Sequence, residues 1–123
     1  QIPGQLVRSF ENRYMLGIYS YDTNEPFIIL TTNDFATSYS GMLAWEKNIA
    51  SDIGPIFGIN NTASTTVFSD EALQNKDLRV LKNTNGKTML LYSFIDKNTL
   101  IITSRENILS AVVGKYIISK QTR

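Results

Sequence analysis

The chain contains no cysteine and no histidine among its 123 residues. No disulfide can form, and no thiolate or imidazole is present to bind zinc or to act as a nucleophile and its base. We therefore predict no catalytic site, no structural metal and no cofactor. A hydrolase would need paired carboxylates or a Ser–Lys arrangement, and no spacing in the sequence indicates the latter.

The chain also lacks a large excess of charge of one sign and a long apolar run. The net charge is +1, which gives no electrostatic reason to expect a nucleic-acid partner. No apolar run approaches the length of about 18 residues that predicts a membrane-spanning helix. Hydrophobic residues make up 42% and charged residues 19%, as in ordinary globular proteins. At this length we predict one domain over residues 1–123.

Two stretches of the chain resemble each other, MLGIYSYDTNEPFIILTTNDF at 15–35 and TMLLYSFIDKNTLIITSRENI at 88–108. Each has an apolar strand, a polar turn, a second apolar strand and the start of a helical pattern. Short turns predict antiparallel hairpins. The predicted fold is α+β: an antiparallel sheet of about five to six strands, with two main helices gathered largely on one face. The similarity indicates either an internal ββα pseudo-repeat or convergence of two ordinary hairpin–helix units.

The clearest helical pattern runs over residues 35–53, where apolar side chains recur at three- and four-residue steps. We predict that Met42, Leu43, Ile49 and Ile53 are its buried anchors, on one stripe with Phe35 and Tyr39. Glu46 falls within the same stripe. Its carboxylate is expected to reach water at the helix edge; the alternative is a buried group with a raised pKa.

Aligning Tyr19 with Tyr92 gives both copies one aliphatic face and one aromatic face. The aromatic face carries Tyr19, Tyr21, Tyr92 and Phe94. Because aliphatic side chains suit tight helix packing, we predict that the aromatic face is exposed and forms a contact surface. The competing interpretation is that an upstream segment or the loop at 58–64 folds over this face and makes it core.

Acidic and basic residues give few further candidates. Asp22 with Glu25, and Asp70 with Glu71, are close pairs that could bind calcium or transfer protons, but both fall where solvated turns are expected. Arg79, Lys82 and Lys87 cluster on one hairpin without interleaved aromatic residues. That pattern does not indicate a nucleic-acid site.

Several strings carry a resemblance to a known family: PGQLVRSF, YMLGIYSYD, GMLAWEK, KDLRVLK and LLYSFIDKNTLIITSRE. They resemble a domain of single-pass membrane proteins from candidate-phylum (Patescibacteria-type) bacteria, to which no activity is assigned. The resemblance covers most of the chain. It implies an extracytoplasmic, cell-envelope domain that follows an N-terminal membrane helix and a low-complexity linker. The chain begins at Gln1, so such an anchor is expected upstream of it.

Three functions remain as hypotheses. The first is a non-catalytic extracytoplasmic interaction or structural module with a protein or peptide partner. The second is a small-ligand or peptide-binding domain that uses the aromatic sheet face or a strand edge. The third and weakest is a carboxylate-dependent hydrolase, which requires two acids to converge from separate loops.

Overall fold

The protein is described by a computed structural model that covers residues 3, 4, 6, 10–19, 25–59, 67–73 and 75–121, with the backbone alone at 10–19, 25 and 115–121. The strands are β1 (Phe10–Tyr19), β2 (Glu25–Thr32), β3 (Phe68–Leu73), β4 (Lys76–Lys82), β5 (Thr88–Asp96) and β6 (Thr99–Thr103). The helices are α1 (Phe35–Trp45), α2 (Ile49–Ile53) and α3 (Glu106–Gln121), with a 3₁₀ turn at Gly54–Phe57 after α2.

The six strands form one antiparallel sheet in the order β1-β2-β6-β5-β4-β3. Hairpins connect β3 to β4, β4 to β5 and β5 to β6. Gly86 has a φ of 80° in the β4–β5 turn, a conformation that glycine adopts without a steric penalty. The predicted α+β class and the predicted number of strands are confirmed. Within the described residues, no helix is long and apolar enough to cross a membrane.

Both faces of the sheet are covered, so the expectation that the helices gather on one face is wrong. The first core joins α1 and α2 to one face of the sheet and also includes two residues outside these elements, Leu6 and Ile59. Its other members are Met42, Trp45, Ile49, Ala50, Phe68, Leu81, Leu90, Tyr92, Leu100 and Ile102. The second core joins α3 to the other face: Leu78, Val80, Leu91, Ile95, Ile101, Ile108, Leu109 and Val112. Neighbouring residues of a strand, such as Leu91 and Tyr92, therefore enter different cores, as the two-residue period of a strand requires.

The ββα order predicted from the similar stretches occurs twice, but the two units are arranged differently. The alignment of Tyr19 with Tyr92 also matches Ile28 with Ile101. In the sheet, Ile28 pairs with Ile102 and packs against the first core, whereas Ile101 lies in the second core. Because a one-residue offset moves a side chain to the opposite face, the helices that follow the two hairpins cover opposite faces of the sheet.

The predicted continuous helix over 35–53 is interrupted by a turn at residues 46–48. Met42 and Ile49 are fully buried as predicted, whereas Leu43 is 39% exposed and is not an anchor. Phe35 and Tyr39 are likewise exposed at the surface. The face of α1 that enters the first core instead contains Ser38, Gly41, Met42 and Trp45. Phe35, Tyr39 and Leu43 recur at four-residue steps on the exposed face of α1, so the phase of the predicted stripe is wrong within α1 itself.

Gly41 lies where α1 approaches Leu6 closely, and its substitution is a test of that packing. A Cβ atom at position 41 would lie 2.7 Å from Cβ and 3.2 Å from Cα of Leu6. Alanine normally stabilises a helix relative to glycine by about 1 kcal/mol. We expect Gly41→Ala to destabilise the protein by about 1–3 kcal/mol instead, because the backbone of Leu6 must move. Chemical denaturation measures the change.

Gly114 provides the matched control for Gly41. It lies in α3 and is exposed, and a Cβ atom added to it would meet no atom within 4 Å. Gly114→Ala should therefore stabilise the protein by about 0.5–1 kcal/mol through helix propensity alone. Stabilisation by both substitutions would contradict the close approach of α1 to Leu6.

Candidate functional site: a buried carboxylate and an aromatic groove

Glu46 has a buried carboxylate, whereas the helical pattern predicts that this group reaches water. The residue follows α1 directly and is 9% exposed. Its Oε1 accepts a hydrogen bond from Nη2 of Arg79 at 2.7 Å, and its Oε2 accepts one from Nε at 2.8 Å. Tyr92 donates its hydroxyl to the same Oε2 at 2.5 Å. Both oxygens are therefore occupied, and the Arg79 contact has the bidentate geometry that makes such pairs strong.

The sheet register places the two partners of Glu46 side by side. Arg79 of β4 is paired with Tyr92 of β5, so both side chains lie on the face that α1 covers. Tyr92 is 1% exposed, and its ring contacts that of Phe68 with a centroid distance of 5.9 Å. The predicted exposure of the aromatic face is thus wrong for Tyr92, which belongs to the first core and is covered by α1.

Asp70 extends this network to the solvent side. A second nitrogen of Arg79, Nη1, contacts Oδ1 of Asp70 at 2.8 Å, and the Asp70 side chain is 85% exposed. The hydrogen bonds to Glu46 raise the pKa of Arg79, which stays charged at any pH at which the protein is folded. Burial, followed by the hydrogen bond to Glu46, raises the pKa of Tyr92. The phenol is therefore neutral and serves as a donor.

Among the described side chains, the remaining acidic candidates do not share a site. Asp70 and Glu71 bind different partners on β4, since Glu71 contacts Nζ of Lys82 at 2.5 Å. Arg79 and Lys82 are thereby engaged in ion pairs, whereas Lys87, the third residue of the predicted basic cluster, is exposed. Asp22 lies outside the described residues, as does the Glu25 side chain. Among the side chains that are described, no group of three or more acidic residues is close enough to hold a metal ion.

Of the four residues assigned to the aromatic face, two have described side chains, and of these Phe94 lies at a surface that a partner can reach. Tyr21 and the side chain of Tyr19 lie outside the described residues, and Tyr92 is buried. Phe94 is half-buried and contacts two aromatic residues of α1. Its ring centroid lies 5.1 Å from that of Phe35, with the planes at 77°, and 6.0 Å from that of Tyr39.

These three rings line a groove of about 500 Å³ between α1 and the sheet, which we call the aromatic groove. Phe35 and Tyr39 are stacked at a centroid distance of 5.7 Å and are 39% and 40% exposed. The rim of the groove carries both charges: Asn75, Lys76, Asp77, Asp96 and Lys97. The volume lies within the range of about 300–1,000 Å³ that is typical of small-ligand sites.

Local hydrogen bonds hold the helix end of the aromatic groove in place. Asp34 caps α1, since its Oδ1 accepts the N–H of Thr37 at 3.1 Å. Hydrogen bonds from the side chain of Thr37 and then from its backbone N–H lower the pKa of the Asp34 carboxyl group. The hydroxyl of Thr32 accepts the N–H of Asp34 at 2.9 Å and the hydroxyl proton of Ser38 at 2.7 Å. Phe35, directly after the cap, is therefore fixed relative to β2.

The rim is held in the same way on the sheet side. Lys76 donates from Nζ to the carbonyl of Ile95 at 2.9 Å, and Asp96 accepts the N–H of Asn98 at 2.8 Å. Asn75 occupies the turn before β4 with a φ of 65°, a left-handed conformation that asparagine tolerates. Asp77 and Lys97 are exposed at the rim.

Sequence reasoning missed the helix side of this groove because it placed Phe35 and Tyr39 on the buried stripe. The signal that could have found it is their spacing of four residues, which brings two rings together on one helix face. The Arg79–Glu46 contact had no comparable signal, since the two residues are 33 positions apart in the chain.

Comparisons with known proteins add no family assignment. No protein-family model matches the sequence, and no curated protein shows significant similarity to it.

Substitution of Arg79 tests whether its ion pair stabilises the buried carboxylate of Glu46. In Arg79→Met the Glu46 carboxylate stays in the first core with only the Tyr92 donor. We expect a loss of about 3 kcal/mol in the free energy of unfolding, at the lower end for a buried pair because the Arg79 side chain is 21% exposed. Asp70→Asn breaks the exposed contact of the same guanidinium and should cost under about 0.5 kcal/mol. Similar costs for both variants would argue against a structural role for Glu46.

Alkaline unfolding tests the buried phenol. The pKa of Tyr92 is raised above its ordinary value of about 10 in the folded protein. Its stabilising contribution is complete below pH 10 and is lost as pH rises toward the folded-state pKa, because the unfolded chain releases this proton first. Tyr92→Phe should therefore show a shallower fall in unfolding free energy between about pH 10 and 11.5 than the wild type. Identical slopes in this window would contradict the neutral, buried phenol.

Proposed function

We propose that the domain is a non-catalytic interaction module and that the aromatic groove is its contact surface. The observation that carries the proposal is the exposure of Phe35 and Tyr39 beside Phe94, in a cavity with a charged rim. Large aromatic rings that remain accessible on a small domain favour a binding role, because they lose little conformational entropy on contact. The second hypothesis, a peptide- or small-ligand-binding domain, is favoured by the volume of the same groove.

The chemistry of the described residues supports a non-catalytic role. Catalysis by a carboxylate requires an oxygen that can take a proton from a substrate in an accessible site. Glu46 has both oxygens engaged by Arg79 and Tyr92, and Asp70 and Glu71 are each paired with a β4 cation. We therefore infer that these acids stabilise the fold and that the protein acts by binding.

We also propose that the module is extracytoplasmic and associated with the cell envelope. The resemblance to membrane-anchored bacterial proteins supports this location. Protease added to intact source cells should cleave the domain, whereas a cytoplasmic marker protein should remain intact. Protection of the domain until the cells are lysed would contradict the proposal.

Site-specific photo-cross-linking tests the contact surface. A benzophenone-bearing residue at position 39 lies in the aromatic groove, and one at position 44 lies at an exposed site of α1 outside it. In an envelope extract of the source cells, we expect discrete adducts from position 39 and none from position 44. Excess unlabelled wild-type domain should suppress the adducts, and excess Phe35→Ala domain should not. Equal labelling from both positions would contradict a role for the aromatic groove.

A further inference from the structure

We propose that the occupant of the aromatic groove is a short, extended peptide segment that contains proline and carries little net charge, bound in the polyproline II conformation. The inference rests on the proposed function of the groove as a contact surface. Three features of the described residues support it: the charge of the rim, the pairing of the strands below the groove, and the area of exposed aromatic surface.

The rim selects against strongly charged ligands. Lys76 and Lys97 are offset by Asp77 and Asp96, so the rim has no excess of either charge. A polyanion or polycation would meet as much repulsion as attraction there. An uncharged peptide backbone, in contrast, can hydrogen bond to either type of rim side chain without a charge penalty.

The strands below the aromatic groove offer no free edge for strand addition. Phe94 pairs with Leu100 of β6, and the other side of β5 pairs with β4 through Tyr92 and Arg79. A ligand therefore cannot be held there by a ladder of backbone hydrogen bonds. Polyproline II segments need no such ladder, because they have no internal hydrogen bonds and dock their rings and backbone on aromatic side chains.

The exposed aromatic area fits a short segment better than a second copy of the domain. Phe35 and Tyr39 are each about 40% exposed. With about 150–250 Å² per aromatic side chain, together they offer roughly 120–200 Å². A stable dimer needs about 800 Å² from each partner. A few residues of extended chain cover an area of the observed size.

Titration of the ¹⁵N-labelled protein with a blocked decaproline peptide tests the proposal, with a blocked Gly-Ser decapeptide as the control probe. We expect saturable shifts for decaproline, centred on the amides of Phe35, Tyr39 and Phe94, and none for Gly-Ser. Tyr39→Ala should weaken decaproline binding at least fivefold. Leu43→Ala should leave it unchanged within twofold, since Leu43 is 39% exposed on the same helix but does not line the groove.

A second variant keeps the test independent of folding. Tyr39→Leu retains apolar volume and removes the ring, so it should also weaken binding while the remaining spectrum stays that of the wild type. Equal binding by Tyr39→Leu and wild type would overturn the proposal, as would equal shifts from Gly-Ser.

The outcomes also separate this inference from the proposed function. Absence of decaproline binding with intact cross-linking at position 39 would overturn the peptide chemistry and leave the contact surface in place. A concentration-dependent doubling of mass that Tyr39→Ala abolishes would identify a second copy as the occupant and overturn the proposal. Loss of both cross-linking and peptide binding would remove the proposed function itself.

Discussion

The arrangement of this domain depends on where the carboxylate of Glu46 is held. Three donor groups from Arg79 and Tyr92 bind its two oxygens inside the first core. This contact fixes the end of α1 over β4 and β5, at the point where the helix stops and the chain turns toward α2. Trp45, one residue earlier, donates from its indole nitrogen to Asp52 at 2.7 Å and so ties α1 to α2. The other fixed point is the close approach of Gly41 to Leu6. With these constraints α1 cannot rotate about its axis, and Phe35 and Tyr39 are directed toward the surface.

Much of the sheet was predictable because its signals are local. Apolar runs separated by short polar turns predicted antiparallel hairpins, and the two similar stretches fall on the pairs β1–β2 and β5–β6. The faces of the sheet were not predictable in the same way. The hydrophobic pattern of a helix does not indicate which face of the sheet the helix will cover. The register of β2 against β6 places Ile28 and Ile101 on opposite faces of the sheet. The second core, which joins α3 to the other face, was therefore not predicted.

The candidate site was likewise predictable where its signals are local in the sequence, and it was not predictable where it depends on contacts between distant residues. Phe94 was recognised from its position on an aromatic strand face, but Tyr92, two residues earlier on the same face, is buried because α1 lies across it. The phase of α1 was predicted wrongly because hydrophobicity alone cannot distinguish Leu43 from Met42 as the buried residue. The deciding contacts are polar or steric and connect residues that are distant in sequence, namely Glu46 with Arg79 and Gly41 with Leu6. The aromatic groove lies between a helix and the sheet, so its position depends on these long-range contacts. The sequence pattern of either element alone does not predict it.

A double-mutant cycle measures the structural role of Glu46 directly. Arg79→Met is compared in the wild type and in Glu46→Leu, by the free energy of unfolding. If Arg79 serves to neutralise and hydrogen bond the buried carboxylate, its substitution should cost at least about 2 kcal/mol less in the Glu46→Leu background, where no buried charge remains. Equal costs of Arg79→Met in the two backgrounds would show that the pair does not hold α1 on the sheet, and would contradict this account.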